Sequence, residues 1–345
     1  MNPDHAFANW NIVVEGWYFI CPSQTVQKLQ VKSFEICGQK IAIFRNEAGK
    51  VSALKAHCSH LGTDLALGKV EGDWVRCYFH HWAFDGMGHC QEIPCQKTIP
   101  PSAHLPSYAT TEKYGLIWVY PAAIAPFDVP EFEELKNKPL FVQLDRPFTR
   151  HCHHHICMMN GIDAQHLNTI HHLNVAMELS IAEAHQGRQI NFTMRGDIPK
   201  KSWREKLINI ILGQEYEYSM VYDNASMGLL TIMKKVRFFP PLHMIYAYNP
   251  VPDIHPYGIN LQSSYSKIQC IYITEKRRGI LGLLISYLLL LMTRLAYYFL
   301  RHEDGLIYDN IEFSSRLLLK IDEPLKHYMN YVNQLPVSQW SLTQK

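Results

Sequence analysis

The chain of 345 residues carries almost no excess charge. Its formal net charge is +2, and no run of one sign is long. Without a basic stripe, nucleic-acid binding has no electrostatic support. The first residues, MNPDHAFANWNIVVEGW, lack a basic stretch followed by an apolar one, so no secretory signal is expected. Internal repeats, low-complexity tracts and a Gly-rich dinucleotide-binding turn are also missing, so a nicotinamide would have to act through a partner. The zinc-finger signature, two Cys in one knuckle and two His on one helix, is missing too. Nine cysteines is an odd number and gives no disulfide framework, which points to a reducing, cytoplasmic setting. What is plentiful is core. Apolar residues make up 47%, enough for one large or two medium domains and too many for a disordered chain.

Two short boxes carry the first chemistry: Cys58-Ser-His60, then sixteen residues, then Cys77-Tyr-Phe-His80. Each box offers one thiolate and one imidazole. Zinc accepts two of each, but in another arrangement. A two-iron, two-sulfide cluster, with Cys on one iron and His on the other, suits mirrored boxes better. The third reading is unrelated core Cys and surface His. Gly68 and Glu71-Gly72-Asp73 mark a hairpin between the boxes, which would bring the second loop back to face the first.

Cys58-x-His60 and Cys77-x2-His80, followed by Trp82, resemble the iron–sulfur motif of Rieske non-haem iron oxygenases. Gly62-Thr63-Asp64-Leu65, Asp85-Gly86-Met87-Gly88 and the closing strand Tyr114–Val119 fit the same N-terminal domain. The chain departs from the family where Leu61 replaces Arg, Tyr78 replaces Pro and His81 replaces Gly. None of these is a ligand, but each can alter hydrogen bonds at the cluster. His57 and His81 are read as bystanders, and Cys90 and Cys95 as ordinary thiols. Trp10–Ile20, Lys28–Ile36 and Lys40–Arg45 read as strands. The Pro-spaced segment 121–130 is a connector, giving a β-rich domain over 1–122 and a second domain over 123–345.

The second box is Asn160-x2-Asp163-x2-His166-x4-His171. Five residues on a helix turn about 500°, so His166 and His171 share a metal only if the helix kinks or ends between them. Two His and a carboxylate on one face are the ligand set of non-haem Fe(II) oxygenases. This box also resembles the Rieske oxygenases. The resemblance implies that Fe(II) is held by His166, His171 and a late acid, here Asp304, with Glu303 and Asp309 as alternatives. It implies that Asp163 hydrogen-bonds an iron-binding His and reaches His80 of the partner subunit in a homotrimer, with Asn160 beside it. His151, His153 and His155 would share one face of a strand, as a polar pocket wall or as a copper or zinc site.

Beyond residue 185 the pattern is of strands: Tyr216 to Tyr222, Leu229–Val236, Met244–Tyr248, Ile259–Tyr265 and Ile268–Ile273. A long helix would then pack on the sheet and deliver Asp304. The expected fold is α+β, a β-rich [2Fe-2S] domain followed by an antiparallel-sheet, helix-grip-like catalytic domain. Residues 279–293 are uncharged, short of the about 20 that span a bilayer, and Arg294 interrupts the run. Segment 279–300 is either a peripheral membrane helix with a basic edge or a buried helix at a trimer interface.

The resemblance implies an oxygenase. It would take O2 as co-substrate and electrons from a ferredoxin or flavin reductase, with NAD(P)H acting only through that donor. The expected reaction is hydroxylation, desaturation or oxidative demethylation of a lipophilic sterol-, isoprenoid- or tetrapyrrole-like substrate. A Rieske electron-transfer protein without oxygenase chemistry and a zinc-stabilised binding module are the rival classes.

Overall fold

In a computed structural model, the described residues are Phe7, 12–171, 177–197, Lys206, Ile210, 215–236, 240–255 and 258–342. Trp10, from which the first expected strand starts, lies outside them. Two compact units divide the chain: Glu15–Val129 with Val337–Lys345, and Met1–Val14 with Pro130–Pro336.

The first unit is three small antiparallel sheets. β1 (Tyr18–Pro22) pairs with β11 (Leu116–Val119), which pairs with β10 (Thr110–Lys113). β2 (Gln30–Ile36), β3 (Gln39–Arg45), β4 (Val51–Lys55) and β9 (Ser107–Tyr108) make the second sheet. β5 (Lys69–Glu71), β6 (Trp74–Arg76), β7 (Ala83–Phe84) and β8 (Cys90–Glu92) make the third. The expected hairpin between the Cys-His boxes is β5–β6. Val70 faces Val75 in register, and Gly72 turns at φ +58°, a left-handed conformation that glycine adopts without steric cost. Ile41, Ile43, Leu54, Val75 and Phe84 are fully buried and form the core. The C-terminal segment closes this unit: Trp340 is buried against Tyr18 and Tyr108.

The second unit is built on one antiparallel sheet in the order β12–β19–β18–β17–β16–β15–β14, with β13 also paired to β19. Its strands are β12 (Leu140–Leu144), β13 (Phe148–Arg150), β14 (Met177–Ala184), β15 (Gln189–Asp197), β16 (Glu215–Asp223), β17 (Met227–Lys234), β18 (Leu242–His255) and β19 (Gly258–Glu275). The two strands expected over 259–265 and 268–273 are one strand. Ser266 and Lys267, which lie between them, stay in the ladder opposite Pro250 and Asn249, and β18 pairs along both parts.

Helices α1 (His154–Asn160), α2 (Ala164–Thr169), α3 (Gly279–Tyr308) and α4 (Glu323–Gln334) accompany this sheet; a last short helix, α5 (Gln339–Leu342), belongs to the first unit. His151–His155, which as a strand would set three histidines on one face, does not form one. His153 caps α1, and α1 is buried from His154 to Met159, so burial on every side favours the helix over a half-exposed strand. The rings of His153, His154 and His155 lie 4.1–4.8 Å apart between centroids, tilted by 31–38° to one another, rather than lining one strand face. Burial pushes His154 down to about 3, so it is neutral. Tyr218 and Tyr222 of β16 donate their hydroxyls to the carbonyls of Gly161 and Met158, tying the end of α1 to the sheet.

Candidate metal centres

The two Cys-His boxes form matching loops. In the first, Cys58 N–H bonds Thr63 O and Gly62 N–H bonds Cys58 O. In the second, Cys77 N–H bonds Trp82 O and His81 N–H bonds Cys77 O. Each loop has a left-handed residue four positions after its Cys: Gly62 at φ +76° and His81 at φ +60°. The departure at His81 therefore falls where the backbone favours glycine.

The four side chains separate by burial. Cys58 and Cys77 are buried, whereas His60 and His80 are exposed at the tip. Burial raises the metal-free Cys58 thiol to about 12, with Cys77 and Cys90 adding to it. Such a thiol becomes a thiolate only when a cation compensates. His60 Nδ1 and His80 Nδ1 converge to 3.1 Å, and Trp82 stacks on His60 at 4.5 Å and 5°. Buried sulfurs on one side and paired imidazoles on the other are the donor set of a [2Fe-2S] cluster with chemically distinct irons. Beneath the loops, Arg76 donates to His81 O and pairs with Glu71 and Glu92. Asp64 accepts from Ser33 and from Ala66 N–H and pairs with Lys40 at 2.7 Å.

In the other unit, α2 stops at Thr169. His171 thus lies beyond the helix end, the break that the spacing required. His166 Nε2 and His171 Nε2 are 3.0 Å apart, and Asp304 Oδ1 lies 3.0 Å from the first and 3.1 Å from the second. Donors about 2.1 Å from one metal at right angles are about 3.0 Å apart, so this triangle has the dimensions of one octahedral face and is tighter than a tetrahedral edge. Asp304 Oδ1 is buried and makes no well-aligned hydrogen bond. Burial alone would raise Asp304, but the two imidazoles hold it below the usual carboxylate range. The residues present fit a mononuclear Fe(II).

The alternatives to Asp304 have other partners. Glu303 Oε2 lies 2.6 Å from His171 Nδ1, and Asp309 lies 3.6 Å from Arg150 and accepts from His151 N–H. Glu303 is thus an orienting group that the sequence suggested only as a spare ligand. A carboxylate next to a ligand was the available signal. Asn160 Nδ2 lies 3.0 Å from His166 Nε2. Asp163 caps α2, accepting from the His166 backbone N–H. The triad opens on a cavity of about 400 Å³, with walls that include Leu230, Ile232, Met244, Tyr246, Leu300 and Tyr308.

Comparison with known proteins agrees with this reading. Residues 16–109 match the Rieske [2Fe-2S] domain. Cholesterol 7-desaturase nvd 1 of Ciona intestinalis is 35% identical over 162 residues, 45% of this chain and 34% of its own length. The oxygenase component of 3-ketosteroid-9-alpha-monooxygenase from Rhodococcus rhodochrous is 34% identical over 124 residues, 34% of this chain and 32% of its own. These matches span about a third of the relatives' lengths. Among solved structures, NdmB of Pseudomonas putida CBB5 superposes with a TM-score of 0.66 at 16% identity, covering 92% of this chain and 89% of that one. Dicamba monooxygenase bound to dicamba gives 0.62 at 16%, covering 95% and 98%. The chain carries a Rieske [2Fe-2S] domain and has the α+β fold of Rieske oxygenases.

Proposed function

We propose that the protein is a Rieske-type oxygenase that oxidises a C–H bond of a lipophilic, sterol-like substrate by hydroxylation, desaturation or oxidative demethylation. The observation that carries this is the 3.0–3.1 Å triangle of His166, His171 and Asp304 opening on an apolar cavity. A protein that only passed electrons would have no use for that cavity. The sterol-like class is supported by relatives named for cholesterol and a ketosteroid.

In this reading Cys58, His60, Cys77 and His80 hold the cluster, and His166, His171 and Asp304 hold the mononuclear iron. When bound, these groups supply one-electron transfer and activation of O2. The chain's own residues orient and enclose. Glu303 fixes the His171 ring, Asn160 lies against His166, and the apolar walls exclude water from the reacting C–H bond. Asp163 bridges to His80 of the partner subunit in a homotrimer. A ferredoxin or flavin reductase supplies electrons. The cluster domain, expected over 1–122, takes Glu15–Val129 with Val337–Lys345, and the catalytic domain, expected over 123–345, takes Met1–Val14 with Pro130–Pro336. The protein is cytoplasmic and peripheral to a membrane through 279–300.

The test is iron and acid-labile sulfide per chain in anaerobically purified protein, with EPR after reduction. About three irons and two sulfides are expected. About two irons, with none gained on adding Fe(II), would return the protein to the electron carriers.

A further inference from the structure

Helix α3 is apolar on both sides. Its inner face, with Leu289, Leu290, Thr293, Tyr297 and Tyr308, is buried, and Thr293, Tyr297, Leu300 and Asp304 reach the cavity. A helix that covers a core normally turns charged and polar groups outward. Here the outward stripe is Leu281, Leu284, Leu288, Leu295 and Phe299, which are 51–71% exposed. These positions recur at helical spacing along about 30 Å of helix. The one charge within 279–300, Arg294, is drawn to Asp145 at 3.1 Å, which keeps its charge off this stripe. Just before the helix, Lys276 and Arg278 are exposed, and neither pairs with a carboxylate among the described residues.

We infer that this stripe lies on a bilayer containing anionic lipid, with Lys276 and Arg278 against the headgroups, and that the cavity takes its substrate from that bilayer. The inference rests on the lipophilic-substrate reading above. Charge selects the membrane over a second copy of α3. Parallel pairing would put the two basic ends together. Antiparallel pairing would set each basic end against a C-terminal turn where Asp304 is buried and Glu303 is held by His171. Anionic headgroups supply the missing countercharge. The helix cannot cross the bilayer while its last turns hold Asp304 at the iron site. It therefore lies in the interface, one helix thickness, about 10 Å, from bilayer to cavity.

The holoenzyme is floated with phosphatidylcholine vesicles, with and without phosphatidylglycerol, each loaded with cholesterol as the probe. The wild type is expected to float several-fold better with phosphatidylglycerol, to be released by salt, and to carry cholesterol away. The combined variant Leu284→Glu, Leu288→Glu, Leu295→Glu is expected to stay unfloated and cholesterol-free, with its cluster EPR, iron content and assembly mass unchanged. It should still take up cholesterol from cyclodextrin. Lys276→Glu with Arg278→Glu should abolish the phosphatidylglycerol preference. A wild type that floats with neither vesicle at low salt would overturn the inference, as would a triple variant that drops to a smaller assembly. If the wild type floats but takes up cholesterol from neither source, the substrate reading fails while the docking surface stands.

Discussion

Glu303 and Asp304, neighbours on α3, reach the two nitrogens of one imidazole: Glu303 Oε2 is 2.6 Å from His171 Nδ1, and Asp304 Oδ1 is 3.1 Å from its Nε2. In the proposed reading one carboxylate orients the ring and the other would share the metal with it. Asp304→Ala should therefore abolish mononuclear iron binding while leaving the cluster EPR intact. Glu303→Gln should keep the site but weaken Fe(II) binding about 10–100-fold, the usual effect of losing an outer partner of a metal-bound His. Fe(II) titration of the two variants separates the roles. Equal loss in both would remove the distinction drawn between them.

The twin loops give a pair of opposite effects. A Cβ at Gly62 would meet nothing within 4 Å, so Gly62→Ala tests backbone strain alone. It should cost about 1–2 kcal/mol, the left-handed penalty for a residue with a side chain. His81→Gly should recover up to about 1 kcal/mol, since the same penalty is already present there. Thermal unfolding of the two holoproteins should move in opposite directions. A destabilised His81→Gly would mean that the imidazole itself supports the loop.

Asp223 sets a pH dependence. Burial raises its carboxyl to about 6, partly offset by Asn224, His185 and Gln189. Its folded value lies above the unfolded one near 4, so the folded state holds the extra proton. Asp223 therefore makes stability fall as pH rises from about 4 to about 6, and stay level above. Asp223→Asn should remove that slope and raise stability at pH 7 by on the order of 2 kcal/mol. Denaturant midpoints at pH 4.5 and 7, alike in their displacement from wild type, would count against this.

Arg150 packs on the helix turn that carries Asp304. A Cβ at Gly305 would lie 2.9–3.1 Å from its guanidinium, which donates to Arg301 O. Gly305→Ala should cost about 1–3 kcal/mol by overpacking and weaken Fe(II) binding by displacing Asp304. Leu306→Ala, at the exposed neighbouring position, should change neither. Loss of iron in both variants would point to general weakening of α3.

Much of both centres could be read along the chain because chelation is local. Cys58 and His60, and Cys77 and His80, each sit within one turn, and turns are written in nearby residues such as Gly62 and Gly72. The return of the second loop was visible in the β5–β6 hairpin for the same reason. His166 and His171 were readable as a pair only with a helix end between them, and α2 supplies one. The histidines at 151–155 misled because alternating residues suggest a strand wherever burial is unknown. Ile156 to Met159, buried all round, made the segment helical.

Residue types at short spacing thus carried the two expected donor sets and the strand-rich character of the chain, since these depend on local turn and pattern chemistry. Tertiary structure decided which of Glu303, Asp304 and Asp309 faces the iron site. Successive helical side chains point about 100° apart, so the choice depends on how α3 is rotated on its sheet. Packing against β18 and β19 sets that rotation. The same packing buries one apolar face of α3 and leaves the other outward, a division that its uniformly apolar sequence does not contain.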